Sequence, residues 1–592
     1  MVLTKKSAIQ VPQVSLESPD PTVKKPRLVK LIVRNYRCIG SKPVEIELDD
    51  IVVLVGANNT GKSSILHAYK LAMSHGSNDA KLTLDDFPGN KIDPDNLPQV
   101  EIHTVVYDDT VGTKWVNEST GEKIVRERWV WSDVGISPTR QGWDTTISGW
   151  GKEGPWGAPN VAKSHRPEPH IVDAFDSPEE QAKEIVRLLK LELDQRLTDH
   201  KKGDDGEGSY SKLLRLIGEF RKNIVVEAQE QIASINRELT ILIQQVFPKY
   251  IIDFDAKPED ALDKSLSFSK SDAQLLMGPM GEHLSSIEKQ GSGARRMLLW
   301  TAIKFLAENA RKTKPSDSAR PHLLLIDEPE ICLHPAAIRD ACNALYALPA
   351  PDNKWQVMLT THSPIFIDFS KDNTTIVRVE KESDGGIKGT TIFRPDKAKL
   401  SSDDQQNLKL LNICDPYVAE FFFGGRIVVV EGDTEYTAFS YVRSQNPNEY
   451  RDVQIIRARG KATIVSLVKV LNHFGANYSI LHDSDKQKTK KGDRANPAWT
   501  NNGLILDVVR SKLTGQQARL LASVPNFEEA YFGYVATDEK PYKALQTIMA
   551  DPGKQATIKD LLDALLDRSK TPPTNCVEWF HIDELAKLSE TQ

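Results

Sequence analysis

The chain has 592 residues, of which 39% are hydrophobic and 27% charged, and a formal net charge of −6; that length exceeds one core and fits roughly three to five domains of a globular protein. The net charge gives no global attraction to nucleic acid, so any such binding must use local basic patches. The scattered Cys38, Cys332, Cys342, Cys414 and Cys576 form no C-x-x-C pair, which argues against a zinc ribbon or disulfide scaffold and for a reducing cytoplasm, and the sequence has neither an apolar run of membrane-spanning length nor a signal-peptide core.

Residues 1–27 are polar and proline-dotted and read as a flexible N-terminal tail. Residues 28–176 open with an alternating strand in LVKLIVRNYRCIG, followed by strand patterns in PVEIELDD and QVEIHTVVYDD. Between these, the buried run Val52 to Val55 leads into Gly56, Ala57, Asn58, Asn59, Thr60, Gly61, Lys62 and Ser63, which fits G-x-x-x-x-G-K-[ST]. Such a glycine-cornered loop between strand and helix wraps phosphates with its amides, while its lysine neutralises them and its serine reaches Mg²⁺. Asn59, Gly61, Lys62, Ser63 and Ser64 are therefore candidate nucleotide contacts, with ATP and Mg²⁺ as the implied cofactors. Residues 112–175 are rich in Trp, Gly, Pro and Ser and predict a strand pair followed by a long ordered loop, whose tryptophans either pack on the parent domain or bind a ligand.

Residues 177–250 predict helices. SPEEQAKEIVRLLKLEL starts with a serine cap followed by glutamates. Ile232, Ile235, Leu239, Leu242 and Val246 then make a narrow apolar seam, suited either to a bundle within the chain or to a dimer contact.

In residues 251–415, Gly291, Ser292 and Gly293 precede an amphipathic helix whose N-terminus offers amides to an anion. The strand Leu323 to Ile326 delivers Asp327, suited to hold Mg²⁺ through water, and Glu328, suited to polarise an attacking water. A further strand in WQVMLTTHSP ends at His362, placed to sense a γ-phosphate. In their order and wording, NNTGKSS, SGARR, IDEPEICLHP and TTHSP resemble the phosphate loop, signature, DE strand and switch histidine of the ABC-type ATPase superfamily in its RecF/SMC-like branch. The resemblance implies a homodimer or higher oligomer, in which Ser292 and Gly293 face ATP held by the other subunit.

Residues 416–592 carry different chemistry. GGRIVVVEGDTEYTAF is a strand with Glu431 at its end and Glu435 about one helical turn on. ANYSILHDSDKQKTKK is a second strand ending in Asp483 and Asp485, whose side chains point the same way if the segment is extended. These four acids make an oxygen-rich set suited to Mg²⁺ or Mn²⁺, and two such ions could activate water and stabilise the leaving oxygen of a phosphodiester. The run Lys486 to Arg494 (KQKTKKGDR) is either a solvated loop or a phosphate-steering one.

Glu431 and the D-x-D of Asp483 and Asp485 resemble a Toprim domain. An ATPase head followed by Toprim is similar to the OLD nuclease family, including the Gabija-type nucleases of anti-phage defence. That likeness implies an α/β chain, with an ABC/RecF-like head and helical dimerisation insert followed by a C-terminal Rossmann-like Toprim nuclease domain. It also implies Glu528, with Glu529 as its competitor, as a further metal ligand, and Lys554 over Lys559 near the scissile phosphate. The expected activity is an ATP-regulated, divalent-metal-dependent DNA endonuclease on double-stranded DNA, with an accessory helicase as in Gabija systems and no membrane partner. The alternative is a RecF/SMC-like DNA-binding ATPase in repair with a non-catalytic Toprim portion.

Overall fold

The computed structural model describes residues 26–590 apart from 108–110, 120, 174–176, 201–227, 246, 248, 257–272, 311–319, 350–354, 369–370, 372, 383–385, 395–397, 399, 416–417, 489–495 and 534–538. The expected tail thus lies almost wholly outside the described residues, as does most of the basic run after Asp485. No described helix is long and apolar enough to cross a membrane.

Four sheets organise the described chain. A six-stranded sheet runs in the order Ile387–Phe393, Thr374–Lys381, Ile51–Val55, Trp355–Thr360, His322–Ile326, Glu168–Val172. Its first pair is antiparallel and the others are parallel. All residues of Ile51–Val55 and Trp355–Thr360 are buried, as unbroken apolar strands covered on both faces require. A seven-stranded antiparallel sheet packs beside it, with Arg27–Arg34 between Val44–Glu47 and Gln99–Val106, then Glu122–Val130, Thr139–Asp144 and Gly149–Trp150, and with Val116–Ser119 paired to Glu122–Val130. A smaller sheet joins Tyr250–Ala256, Ala273–Pro279 and Ser285–Ser286. The C-terminal five-stranded sheet has the order Val453–Arg457, Arg426–Val430, Tyr478–Asp483, Ala518–Ser523, Cys576–Glu578, with only the last strand antiparallel.

Two expectations change. The segment read as a long loop after the tryptophan-rich strands ends in Glu168–Val172, which closes the edge of the parallel sheet against His322–Ile326. Of the tryptophans, Trp129 and Trp131 are fully buried and pack in the core. The seam of the helical insert is consumed inside the chain: Ile235 and Leu239 are buried, with Ile232 and Leu242 packed against the same core, and Asn236 and Thr240 bond the strand Tyr250–Ala256. The described part of the stripe thus packs within the chain, as the bundle alternative expects. Val246 lies outside the described residues.

The parallel sheet and the C-terminal sheet share one apolar seam. The turn Val418–Phe423 enters the C-terminal sheet, and Phe421 and Phe422 pack at 4.2 Å between ring centroids. Phe422 also meets Phe393 of the ATPase sheet at 6.3 Å and Phe474 of the following unit at 5.9 Å. Because Phe422 is fully buried in this seam, Phe422→Ala is expected to destabilise the protein by about 3–5 kcal/mol, read as an earlier urea midpoint; a loss below about 1 kcal/mol would show that the two sheets do not share this core.

Candidate functional site

At the C-terminal ends of the parallel strands the phosphate loop is fixed by backbone geometry. Gly56 has φ of 143°, and a Cβ there would stand 2.0 Å from the Val379 carbonyl oxygen, so no other residue fits. Gly61 (φ 90°) and Asn59 (φ 61°) turn the loop into the helix Lys62–Met73. Lys62 Nζ donates to the carbonyls of Gly56 at 3.0 Å and Ala57 at 2.8 Å. Ser63 Oγ donates to Asp327 Oδ1 at 3.0 Å, which brings together residues 264 apart. Ser64 is buried, with its hydroxyl 3.9 Å from Cys38 Sγ.

Asp327 follows the strand His322–Ile326 and also accepts from Thr360 Oγ1 at 2.5 Å. Glu328 sits in the left-handed region at φ 46°, with its amide on Thr360 Oγ1 at 3.0 Å. Its carboxylate lies 3.6 Å from His362 Nε2. Burial lowers the Lys62 ammonium from its ordinary value, opposed by Glu328, Asp327 and Glu330. Burial and then Lys62 also lower the His362 imidazole. Glu330, absent from the sequence-derived set, accepts from the His362 amide at 2.6 Å and from Thr361 Oγ1 at 2.9 Å. Its only sequence signal is the third acid of DEPE. Ser292 is exposed at the start of its helix, and a Cβ on Gly293 would meet the Cys332 carbonyl at 3.2 Å. Among the described residues neither one bonds to the phosphate loop of its own chain.

The second cluster crowns the five-stranded sheet. Glu431 follows Arg426–Val430, Glu435 lies in the first turn of the helix Asp433–Gln445, and Asp483 ends Tyr478–Asp483. A Cβ on Gly432 would approach Glu435 Oε2 to 3.1 Å, so the glycine leaves space for the carboxylate to lie over the strand end. Glu431 Oε2 accepts from the Asp483 amide at 3.1 Å, and Asp483 Oδ1 from the Phe527 amide at 2.9 Å. Glu528 is buried and accepts from Thr434 Oγ1 at 3.0 Å, with Lys540 Nζ 3.3 Å away.

Asp485 does not continue an extended segment: it is left-handed at φ 58° and pairs with the buried Lys461 ammonium. Its charge still reaches Glu431 and Asp483. Glu529, the competitor of Glu528, is committed to a cap, exchanging hydrogen bonds with Asn526 at 2.7 and 3.0 Å. Lys554 Nζ donates to the Tyr531 carbonyl at 2.7 Å beside the Glu528 helix. Lys559 instead faces Glu449 and Asp563 at 3.0 and 3.2 Å. Lys461, Lys540 and Thr434 were not marked by the sequence reading.

Burial raises three of these acids, and their acidic neighbours add to it. Glu435 is pushed up to about 8 by burial, then by Glu431 and Glu528. Asp483 is raised well above its ordinary value by burial and its acidic neighbours, and Glu431 is raised by burial despite Lys461. Five carboxylates thus share this strand end with two ammoniums, those of Lys461 and Lys540.

A third cluster lies at the N-terminal ends of the parallel strands, where Glu168, His170 and His322 have ligand atoms within 4.8 Å of one another. It closes as a hydrogen-bonded chain: His170 bridges Glu184 at 3.2 Å and His322 at 3.1 Å. His322 stacks on Trp355, and Glu168 is paired with Arg187 and Arg320.

Comparison with known proteins places these sites in two family matches. The family described as AAA ATPase domain matches residues 27–202 and 179–367. The family described as Overcoming lysogenization defect protein-like, TOPRIM domain matches residues 422–485, a span that contains Glu431, Glu435, Asp483 and Asp485 but neither Glu528 nor Lys554. The chain is 24% identical over 483 residues to the Old nuclease of Escherichia phage P2, covering 78% of this chain and 77% of that protein. It is 23% identical over 547 residues to the OLD nuclease of Thermus scotoductus, covering 88% and 94%. It is 27% identical over 269 residues to the Endonuclease GajA of Bacillus cereus, covering 41% and 39%.

A carboxyl with a native value above its unfolded one holds extra protons in the native state between the two, so stability falls as pH rises through that window. In chelator, the melting temperature is therefore expected to decline from about pH 5 toward about pH 8. Glu435→Gln should flatten the decline, and Mn²⁺ should restore the wild type at the upper end; equal slopes for both proteins would refute the crowding.

Proposed function

This chain belongs to the OLD nuclease family, in which an AAA ATPase domain is joined to an OLD-like Toprim domain, and from that premise we propose that it is an ATP-regulated, Mg²⁺- or Mn²⁺-dependent endonuclease acting on double-stranded DNA. The observation that carries the reading is the convergence of Glu431, Glu435, Asp483 and Glu528 at one sheet end, where like charges are held together against their own repulsion. Glu431, Glu435, Asp483, Asp485 and Glu528 would hold the divalent ions, which supply an activated water and a stabilised leaving oxygen. Lys461 keeps Asp485 oriented, and Lys554 reaches the same side through its bond to Tyr531.

At the other site, Asn59, Gly61, Lys62 and Ser64 cradle the phosphates of ATP, Ser63 and Asp327 hold its Mg²⁺, and Glu328 orients water. Ser292 and Gly293 are left to face a nucleotide on a second copy, which makes the working unit a homodimer. Regulation has a short physical route. The His362 ring, 3.6 Å from Glu328, stacks on Phe423 at 6.5 Å between centroids, and Phe423 leads directly into the strand that ends at Glu431. A role in anti-phage defence, with an accessory helicase, follows from the likeness to Gabija-type nucleases.

Purified protein incubated with supercoiled and linear DNA, Mg²⁺ or Mn²⁺, with and without ATP, tests this reading. Cleavage should drop by more than about a hundredfold in Glu431→Ala and in Asp483→Ala. DNA binding without cleavage in the wild type would favour the RecF/SMC-like ATPase, and covalent protein–DNA adducts would favour a topoisomerase. Lys62→Ala should abolish ATP turnover, and Phe423→Ala should leave turnover intact while removing the effect of ATP on cleavage.

A further inference from the structure

The seven-stranded antiparallel sheet buries one face throughout and the other only in part, at Glu101 and Val105. Leu31, Val33, Val100, Ile102 and Trp129 point into the core, so the alternate residues of the same strands form an outer face. Register places Glu101 opposite both Ile32 and Arg128, Arg128 opposite Gln141, and Trp143 opposite Trp150. Arg126 stacks on Trp143 at 4.2 Å and its charge is met by Glu101 at 2.9 Å.

Arg128 is held differently. Its guanidinium lies 4.5 Å over the Trp150 ring and its Nε donates to Gln141 at 2.7 Å. Stacking and one neutral acceptor fix the plane and leave N–H edges uncommitted. Arg34 is exposed on the first strand, and among the described residues neither Arg34 nor Arg128 forms an ion pair. Both line a cavity of about 480 Å³ whose other walls include Gln99 and Gln141 and a single carboxylate, Asp95. Burial lowers the Arg128 guanidinium and Arg34 adds to that lowering, with Glu101 opposing. Two like charges thus line one cavity, and the Glu101 carboxylate that opposes Arg128 is shared with Arg126 and His103.

We propose that this outer face docks the phosphodiester backbone of nucleic acid, with Arg34 and Arg128 gripping one phosphate between them. Planar guanidiniums with fixed N–H edges match the several oxygens of a phosphate. The strip from the Arg34 strand to Gly149–Trp150 crosses four inter-strand steps of about 4.8 Å each. That span exceeds a single phosphate and suits a polymer whose sugars and bases lie along the tryptophan end. The proposal deepens the nuclease reading, on which it rests, by naming where the substrate docks away from the acids that cut it.

The test is fluorescence anisotropy of the intact protein with labelled duplex and single-stranded DNA in chelator over a salt series. Arg34→Gln/Arg128→Gln should weaken binding by about tenfold or more and reduce the log–log salt slope by about 0.9, the value for one lost phosphate contact. ATP turnover and the stabilisation by Mn²⁺ should be unchanged, which controls for folding. Arg128→Lys, which keeps the charge but loses the stacked fork, should fall between the two. Wild-type affinity and slope in the double variant, alongside metal-dependent cleavage by the wild type, would overturn this surface and leave the nuclease reading standing. Absence of any DNA binding by the wild type would overturn both. Saturable binding of inorganic phosphate to the wild type without DNA binding would also overturn the docking proposal, because the pocket would then serve a small anion.

Discussion

Like-charge crowding at the end of a parallel sheet is the constraint on which the rest depends. Asp483 and Glu435 are buried beside Glu431 and Glu528, so each carboxylate raises the cost of ionising the others. A fold retains such a cluster against its own repulsion only by surrounding it with rigid structure. Here the rigidity comes from three neighbouring strands and three hydrogen bonds at their ends. The Asp483 amide holds Glu431, the Phe527 amide holds Asp483, and Thr434 holds Glu528. Lys461 and Lys540 soften the repulsion without cancelling it. The ATPase site contrasts with this balance: Lys62 is placed among Asp327, Glu328 and Glu330, and the acids offset part of the lysine's desolvation.

Both sites follow the rule that open parallel sheets put their chemistry beyond the carboxyl ends of their strands. In each, a helix begins within a few residues of a buried strand: Ile51–Val55 leads to Lys62, and Arg426–Val430 leads to Glu431 and Glu435. The two sheets are joined by packing. Phe393, Phe421, Phe422 and Phe474 make a shared apolar seam, and the turn that contributes Phe421 and Phe422 also contributes Phe423 to the ring of His362. The turn that meets His362 thus also leads, through Gly424 and Gly425, into the strand that precedes Glu431.

Much of this was legible in the sequence because the chemistry sits where periodicity changes. An apolar run that stops at a glycine or an acid marks a strand end, so the Lys62 loop, Asp327, Glu431 and Asp483 could each be read locally. Glu168–Val172 could not: its sequence EPHIV has a proline at an edge position, which suits an edge strand but breaks the apolar run that marks one. Lys461 and Lys540 were missed because a lysine in a helix has no local signal; their roles arise from contacts with Asp485 and Glu528 set by the sheet order. The conformation of Asp485 was misread for a related reason. The strand stops at Asp483, and the next residues are pinned to the following loop by Ser484 and Asp485 amides on Ser523 and Pro525. The His170–His322 chain joins residues 152 apart and follows only from strand adjacency.

The crowding also decides how a polyanion can be handled by a chain with a net charge of −6. Five carboxylates repel a phosphodiester, and the cations that relieve this repulsion act only over the short distance at which they coordinate it. Affinity must therefore be supplied by surface elsewhere, and that surface must be local because the chain as a whole is acidic. The outer face of the antiparallel sheet meets this need by sharing one acid: Glu101 bonds Arg126 and His103 and offsets Arg128 only in part, while among the described residues Arg34 and Arg128 form no ion pair and keep charge for a ligand. Separating the surface that holds the substrate from the acids that react with it lets each be tuned independently, because the charge that favours docking would weaken the divalent-ion site if it stood beside it.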